Sequence, residues 1–573
     1  MDNCKLMSWC GDSNYKSPLH SSISSSNIKN SLQGLKSDWF KDSAFYHIWV
    51  KSFCDSNGDG VGDIPGITSQ LDYIKDKVGC DAIWLSPIFD CGGKSLDPDC
   101  NMHGYDIVNY YSLNPLFGTD EQLDTLIFEA HKRGIKLIFD FVPNHVSAAH
   151  PWFIDSCLKR NGKTDWFLWS DEVLLDWSPM GQNSNTWHSP QSLIKIAKNF
   201  SMFSHTAELL APLAKEQTSF YYGAFASMMP DLNYRNVEVR EEMKNVVRFW
   251  LNRGFDGVRI DAVRYLVEEI HDGQVETRDT LETHKFFNEL RTEVIDKYAE
   301  LGYPKCMIAE ANMLGDRSLL ESYFGTKEKP EFSMLFDFDF SGQVNHMVSG
   351  FDAHAPLHTH LGETGRSNLP LDCTKAIFLN NHDNPVDRPA STYSDSKLKL
   401  ATAISLLVPS VPFVYYGNEL AQKNKEGYLA MHDIRLRGAF LGADVQKKCE
   451  EERGSLLNLH KELLQFRLEH PALRRGKVTM FYASCRFVTS YCLTYGEDII
   501  LCVFNNSDVC QENVTMYPST GEMPFSSLEE VPLGCFNSKK NQLPEIKKHI
   551  RDFRYLEFGC IMNEGLRLFV CRK

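Results

Sequence analysis

The sequence predicts an α/β protein built on a (β/α)8 barrel, with a lobe inserted after the third strand and an all-β domain at the C-terminal end. Three observations carry this expectation. Eight short apolar segments recur between residues 45 and 415, with amphipathic helical patterns between many of them. The interval between the third and fourth segments is far longer than a crossover helix requires. The last hundred residues alternate apolar and polar positions across Gly-containing turns, as paired strands do.

In chain order, residues 1–43 read as a flexible arm, with the serine run from Ser21 to Ser26 as its clearest mark. The strand candidates are Phe45–Val50, Ala82–Leu85, Lys136–Phe141, Gly257–Ile260, Cys306–Ala309, Met334–Phe338, Ala376–Leu379 and Phe413–Tyr415. Helical patterns cover Glu121–Lys132, Glu238–Asn252, Thr283–Tyr298 and Lys397–Leu407, and Ser455–His470 is the expected final barrel helix before Pro471. Eight strands with helical crossovers fit a closed barrel better than an open doubly wound sheet, which has fewer. The barrel is therefore assigned residues 44–143 and 231–472, and the inserted lobe 144–230. Trp152, Trp166, Trp169, Trp177 and Trp187 are expected mostly to form that lobe's core. Residues 473–573 form the β-domain, starting with strands at Phe487–Tyr495 and Asp498–Phe504.

Composition narrows the function classes. A net charge of −15 over 573 residues argues against nucleic acid or an acidic membrane surface as the main partner. No apolar run is long enough to span a membrane. The first forty residues contain no apolar leader segment, so no secretory signal is expected. Seventeen scattered cysteines do not form a small disulfide framework, although Cys91 and Cys100 could close a loop under oxidising conditions, and the compartment stays open.

Polar residues cluster at the carboxyl ends of the strand candidates, where a barrel gathers its site. The third strand runs into Asp140-Phe-Val-Pro-Asn-His145. The fourth ends in Arg259 and Asp261, whose side chains share a side because a strand alternates. Alone, that pair could be a structural ion pair. The fifth strand adds Glu310 and the seventh His382 and Asp383, and four such endings together are hard to explain as core or solvated positions. Carboxylates without a serine or thiol nucleophile suggest glycoside chemistry, which needs a nucleophile and an acid/base. A metal hydrolase is the rival, but no His-x-His or His-Glu-x-x-His spacing supports it.

The segments Asp140–His145, Gly257–Asp261, Ile308–Glu310 and Asn381–Asp383 resemble the four ordered motifs of the α-amylase family of glycoside hydrolases. Met229-Pro-Asp-Leu-Asn233 resembles its fifth. Phe45-Tyr-His-Ile-Trp49, His103-Gly-Tyr-Asp106 and Phe117-Gly-Thr119 look like the maltase and oligo-1,6-glucosidase branch, and the match runs from about Asp38 to Pro471. The resemblance implies a retaining α-glucosidase with Asp261 as nucleophile, Glu310 as acid/base and Asp383 gripping hydroxyls of the distorted ring. It implies that Tyr105, Asp106, His145, Arg259 and His382 line the pocket for the terminal glucose of an oligosaccharide or disaccharide. Ala262, a small residue after the nucleophile, goes in such relatives with α-1,4 linkages. The segment Met431–Ala439 departs from the family pattern in lacking a Pro and a Trp.

A second constellation is Asp55-Ser-Asn57-Gly-Asp59-Gly-Val61-Gly-Asp63. Its oxygen donors at positions 1, 3, 5 and 9, with a carbonyl from Val61, copy the start of an EF-hand loop and predict structural Ca²⁺. Position 12 is Gly66 rather than Glu. The glucosidase branch carries a calcium loop here. Two other functions stay open: a non-catalytic protein like the heavy chains of amino-acid transporters, and a transglucosylase using the same intermediate.

Overall fold

The computed structural model describes residues 36–91, 103–179, 185–197, 219–272, 274–350, 372–383, 387–428, 433–452, 454–536 and 555–573, with isolated positions between them. Eight parallel strands close a barrel: β1 (Phe45–Ile48), β2 (Ala82–Leu85), β3 (Lys136–Phe141), β4 (Gly257–Ile260), β5 (Cys306–Ala309), β6 (Met334–Phe336), β7 (Thr374–Phe378) and β8 (Val411–Tyr415). Each pairs with its neighbours in chain order, and β8 returns to β1 through Phe45 opposite Phe413. The strands are buried on both faces, which explains why they read as unbroken apolar runs. Alternate residues fill the interior: Phe45, Trp84, Ile138, Ile308, Phe336 and Phe413 belong to one inner cluster.

Local chemistry sets the helices around it. The helix Asp120–Lys132 starts at a capping box between Thr119 and Gln122, and Val237–Arg253 starts at Asn236 and stops at Gly254, whose φ of 129° suits glycine. Gly257 opens β4 because a Cβ there would lie 2.4 Å from Cys306 Sγ and 2.6 Å from Cys306 O. The stretch expected as one helix over Thr283–Tyr298 is divided: α-helix Leu281–Leu290, a π-turn Arg291–Ile295, then Asp296–Glu300. Periodicity alone does not register such a widened turn. β6 ends at Phe336, because Asp337 accepts from the amide of Phe340 and starts a helix there.

The inserted lobe carries a three-stranded sheet of Trp169–Ser170, Phe220–Tyr222 and Trp187–His188. Trp166, Trp177 and Trp187 are buried in it, as expected for core tryptophans. The C-terminal domain is an eight-stranded antiparallel sheet that includes Val488–Tyr495 and Asp498–Asn505. It is tied to the barrel by Asn506, which donates to Met347 O at 2.7 Å, and by His470 against Asp498 at 2.8 Å.

The end of the expected arm is packed. Trp39 and Phe40 are buried, Trp39 Nε1 donates to Pro304 O at 3.1 Å, and Arg475 pairs with Asp38 and Asp42. Two aromatic anchors following a polar serine-rich run were not enough in the sequence to separate this segment from the rest of the arm. Residues 1–35 and Cys100 lie outside the described residues. Among the described residues no helix is long and apolar enough to cross a membrane.

Candidate active site

Strand register assembles the site. Asp140 stands opposite Arg259 in the β3–β4 ladder, and Ile308 opposite Arg259 in the β4–β5 ladder. The ladder continues one step past each strand: Asp261 N donates to Phe141 O and Glu310 N to Ile260 O, both at 2.9 Å. Residues 120 positions apart are thereby fixed side by side at the carboxyl rim.

Arg259 is the centre of the arrangement and is almost wholly buried, at 1% exposure. Its Nη1 donates to Asp140 Oδ1 at 2.6 Å and to Asp261 Oδ1 at 2.8 Å, and its Nη2 lies 3.1 Å from Glu310 Oε2. A planar guanidinium can serve several carboxylates at once in fixed geometry, which a lysine cannot. Ala262 adds a backbone donor to Glu310 Oε2 at 2.9 Å. It does so from a left-handed conformation, φ 49° and ψ 40°, an uncommon one for a residue with a side chain.

The seventh strand delivers the other half. Asp383 lies 3.2 Å from His382 Nε2 and 3.5 Å from Arg437 Nη2. His382 Nε2 is also 2.7 Å from the hydroxyl of Tyr105, which donates to Asp140 Oδ2 at 3.1 Å. Trp84 Nε1 donates to the same oxygen at 3.2 Å. Arg437 lies over the Trp49 ring at 4.2 Å and donates to His382 O at 3.1 Å.

These groups open on a cavity of about 1470 Å³ bordered by Tyr105, His145, Asp261, Glu310, Asp383 and Arg437. The inserted lobe contributes Phe225 to its wall. Burial raises the carboxyl of Asp261 to about 7, against the lowering effect of Arg259, and raises that of Glu310 to about 8. Asp383 is raised as well, mainly by burial. Burial also lifts Asp140 to about 7. All its hydrogen-bond partners are donors, however, and these hold it as a carboxylate. Burial keeps His382 well below the ordinary imidazole value and His145 at about 3, so both are neutral near pH 7.

Of the residues expected from sequence, Asp261, Glu310, Asp383, Tyr105, His145, Arg259 and His382 meet here. Asp106 does not border the cavity: it is buried beside it, with burial raising its carboxyl to about 7. Sequence reasoning missed the roles of Asp140, Trp84, Trp49 and Arg437. Arg437 in particular sits in the very segment that departs from the family pattern, where spacing offered no signal.

The Asp55–Asp63 loop lies apart from these acids, after β1. Its donors are all oxygens, the chemistry a hard cation requires. Asp55 accepts from the amides of Asn57, Gly58 and Gly60, and Asp59 from that of Val61. Asp63 accepts from Ser56 and caps the helix Ile64–Ser69 through Gly66 N. Among the described residues no three acidic, histidine or cysteine side chains are gathered to hold a metal.

The α-amylase catalytic-domain family model matches residues 47–451, which includes every acid of the site. Alpha-amylase 3 of Dictyoglomus thermophilum is 30% identical over 495 residues, 83% of this chain and 86% of that protein. The oligo-1,6-glucosidase of Parageobacillus thermoglucosidasius is 31% identical over 550 residues, 82% of this chain and 91% of that protein. The solved structure of the H. orenii α-amylase shares the fold, with a TM-score of 0.71 at 24% identity over 93% of this chain and 100% of that one. The chain therefore belongs to the α-amylase family, and it is a glycoside hydrolase.

Proposed function

We propose that the protein is a retaining α-glucosidase that releases glucose from the ends of maltose-like oligosaccharides. The observation that carries the reading is the shared guanidinium: Arg259 holds Asp261 and Glu310 on its two terminal nitrogens at the cavity rim. That bridging keeps the two carboxyl groups within a few ångströms of each other. A retaining enzyme needs about 5–5.5 Å between its acids, whereas an inverting one needs about 6.5–9.5 Å to seat a water.

The residues divide the work as follows. Arg259 takes Oδ1 of Asp261, and Oδ2 has no hydrogen-bond partner among the described residues. Oδ2 attacks the anomeric carbon of a bound glucosyl unit. Glu310, whose carboxyl is raised by burial and by the neighbouring carboxylates, holds a proton and delivers it to the departing glycosidic oxygen. The carbon–oxygen bond breaks, leaving glucose esterified to Asp261. Glu310, now ionised, takes a proton from a water that attacks the same carbon and frees Asp261. Two inversions give net retention. Asp383 and neutral His382 bind ring hydroxyls, and Tyr105 and His145 form the floor and wall beside them. Ala262 borders the cavity, and its small side chain is what favours α-1,4 linkages in this reading.

The same glucosyl-enzyme can be captured by a sugar hydroxyl instead of water, so transglucosylation is the second reading, favoured to the extent that the wide cavity seats an acceptor. Purified protein incubated with maltose, isomaltose, sucrose and trehalose tests both. Free glucose with first-formed α-anomer supports the hydrolase, new oligosaccharides at high substrate the transferase, and β-glucose as the first product would overturn retention.

For the Asp55–Asp63 loop we propose a structural Ca²⁺ held by Asp55, Asn57, Asp59 and Asp63 and the carbonyl of Val61. The oxygen-only donor set, in the order that begins an EF-hand loop, supports it. When bound, the ion would stiffen the turn ahead of the helix Ile64–Ser69 and take no part in bond breaking.

A further inference from the structure

His47, on β1 beneath the site, belongs to none of the roles above. It is 1% exposed, and its ring stacks on Trp84 at 3.6 Å between centroids. It meets His382 edge to face, with ring centroids 5.1 Å apart and planes at 76°. His47 Nε2 and His382 Nδ1 are both buried without a hydrogen-bond partner.

The hydrogen bonds around His382 dictate its tautomer. Asp140 can only accept, so Tyr105, 3.1 Å from its Oδ2, gives it the phenolic proton. The Tyr105 oxygen must then accept at its 2.7 Å contact with His382 Nε2. Asp383 Oδ2, 3.2 Å from the same nitrogen, also accepts. The proton of neutral His382 is therefore on Nε2, and Nδ1 is a bare lone pair that needs a donor. Leaving a buried acceptor unmet is costly, and among the described residues His47 Nε2 is a further unpaired nitrogen on a ring that meets His382.

We propose that His47 is a positioning residue: as its Nε2–H tautomer it donates, through one buried water, to His382 Nδ1 and so locks the Nε2–H of His382 toward Tyr105 and the substrate. The chain of donors runs from His47 through His382 and Tyr105 to Asp140, and every step points the same way. Such a water would have a ring nitrogen as polar partner on each side. The consequence for turnover rests on the glycosidase reading; the tautomer itself does not.

The test uses the full chain in two arms. Wild-type protein labelled with ¹⁵N-histidine, with His382 assigned by loss of its signals in His382→Gln, is expected to show a neutral Nε2–H ring whose Nδ1 accepts a hydrogen bond. A Nδ1–H ring, or a free Nδ1, overturns the proposal whether or not the protein turns over sugar. In the second arm, His47→Gln keeps an N–H donor at the same reach and His47→Phe removes it. The expectation is kcat/KM on maltose within about threefold of wild type for Gln and a loss of about tenfold or more for Phe, at matched thermal stability. Equal kcat/KM in the two variants overturns it. If His47→Phe does not fold, the first arm decides.

Discussion

The backbone amide of Ala262 donates to Oε2 of Glu310 at 2.9 Å. The residue after one acid of the site thus holds the other acid, from a neighbouring strand, and both carboxyls also share Arg259. Ala262 itself adopts φ 49° at the end of β4. One position thus carries both a left-handed backbone and the amide that holds Glu310.

Ala262→Gly relieves the left-handed conformation and is expected to leave stability unchanged or slightly raised. Ala262→Val puts a β-branched side chain at that φ and is expected to destabilise by about 1–2 kcal/mol. Chemical denaturation checks both. In the same variants, the maltose-to-isomaltose ratio of kcat/KM should fall for Val, since Ala262 borders the cavity. A ratio unmoved by Val would remove Ala262 from the linkage argument.

Asp261→Asn should lower turnover of maltose and of 4-nitrophenyl α-glucoside alike, by roughly 10³-fold or more, because no nucleophile remains. Glu310→Gln should separate the two substrates. Loss of proton donation costs maltose roughly 10²–10⁴-fold, and the nitrophenolate leaving group, which needs no proton, much less. Equal losses on both substrates for Glu310→Gln would assign Glu310 some role other than acid.

The dependence of kcat/KM on pH should be a narrow bell. It rises as Asp261 ionises, with a carboxyl at about 7, and falls as Glu310 loses its proton at about 8. The two titrate as a pair, so each limb belongs to both. Stability follows the same shifts. A carboxyl raised in the folded state binds more protons folded than unfolded, so its contribution is full below the unfolded value and is lost as pH climbs through the folded one. Glu310→Gln is therefore expected to melt higher than wild type at pH 8, by on the order of 1–2 °C, with no gain at pH 4. A constant difference across pH would show that burial of the Glu310 charge is not the cause.

Calcium is expected to raise the melting temperature, and EGTA to lower it, with the wild-type difference abolished in Asp55→Ala. Calcium at about a hundred times its dissociation constant contributes about 2.7 kcal/mol. Differential scanning fluorimetry at constant pH and ionic strength measures this. Identical curves with calcium and EGTA would exclude the ion from the loop.

Much of the site was legible before any fold was known. Asp261 and Glu310 stand directly after apolar strand segments and Asp383 a few residues beyond one, and a barrel brings strand ends together whatever joins them. Arg259 was legible for the same reason, two residues before Asp261 on the same side of its strand. Asp140 was visible as part of a motif, but its role was not. Its importance comes from a ladder partner 119 residues away, and only the register places it against Arg259. Arg437 left no trace in spacing, since a loop after the eighth strand can present its side chains in many directions.

The chain order of strands, helices and turns, and thus the barrel with its inserted lobe and C-terminal sheet, was determined by the sequence through local periodicity and the burial of apolar runs. The tertiary structure alone decided which groups meet: the three carboxylates on Arg259, the Ala262 amide on Glu310, the packing of Trp39 and Phe40 under the barrel, and the edge-to-face contact of His47 with His382. Those contacts depend on distances between strands that are far apart in the chain, and such distances are set by register and barrel closure rather than by any local pattern of residues.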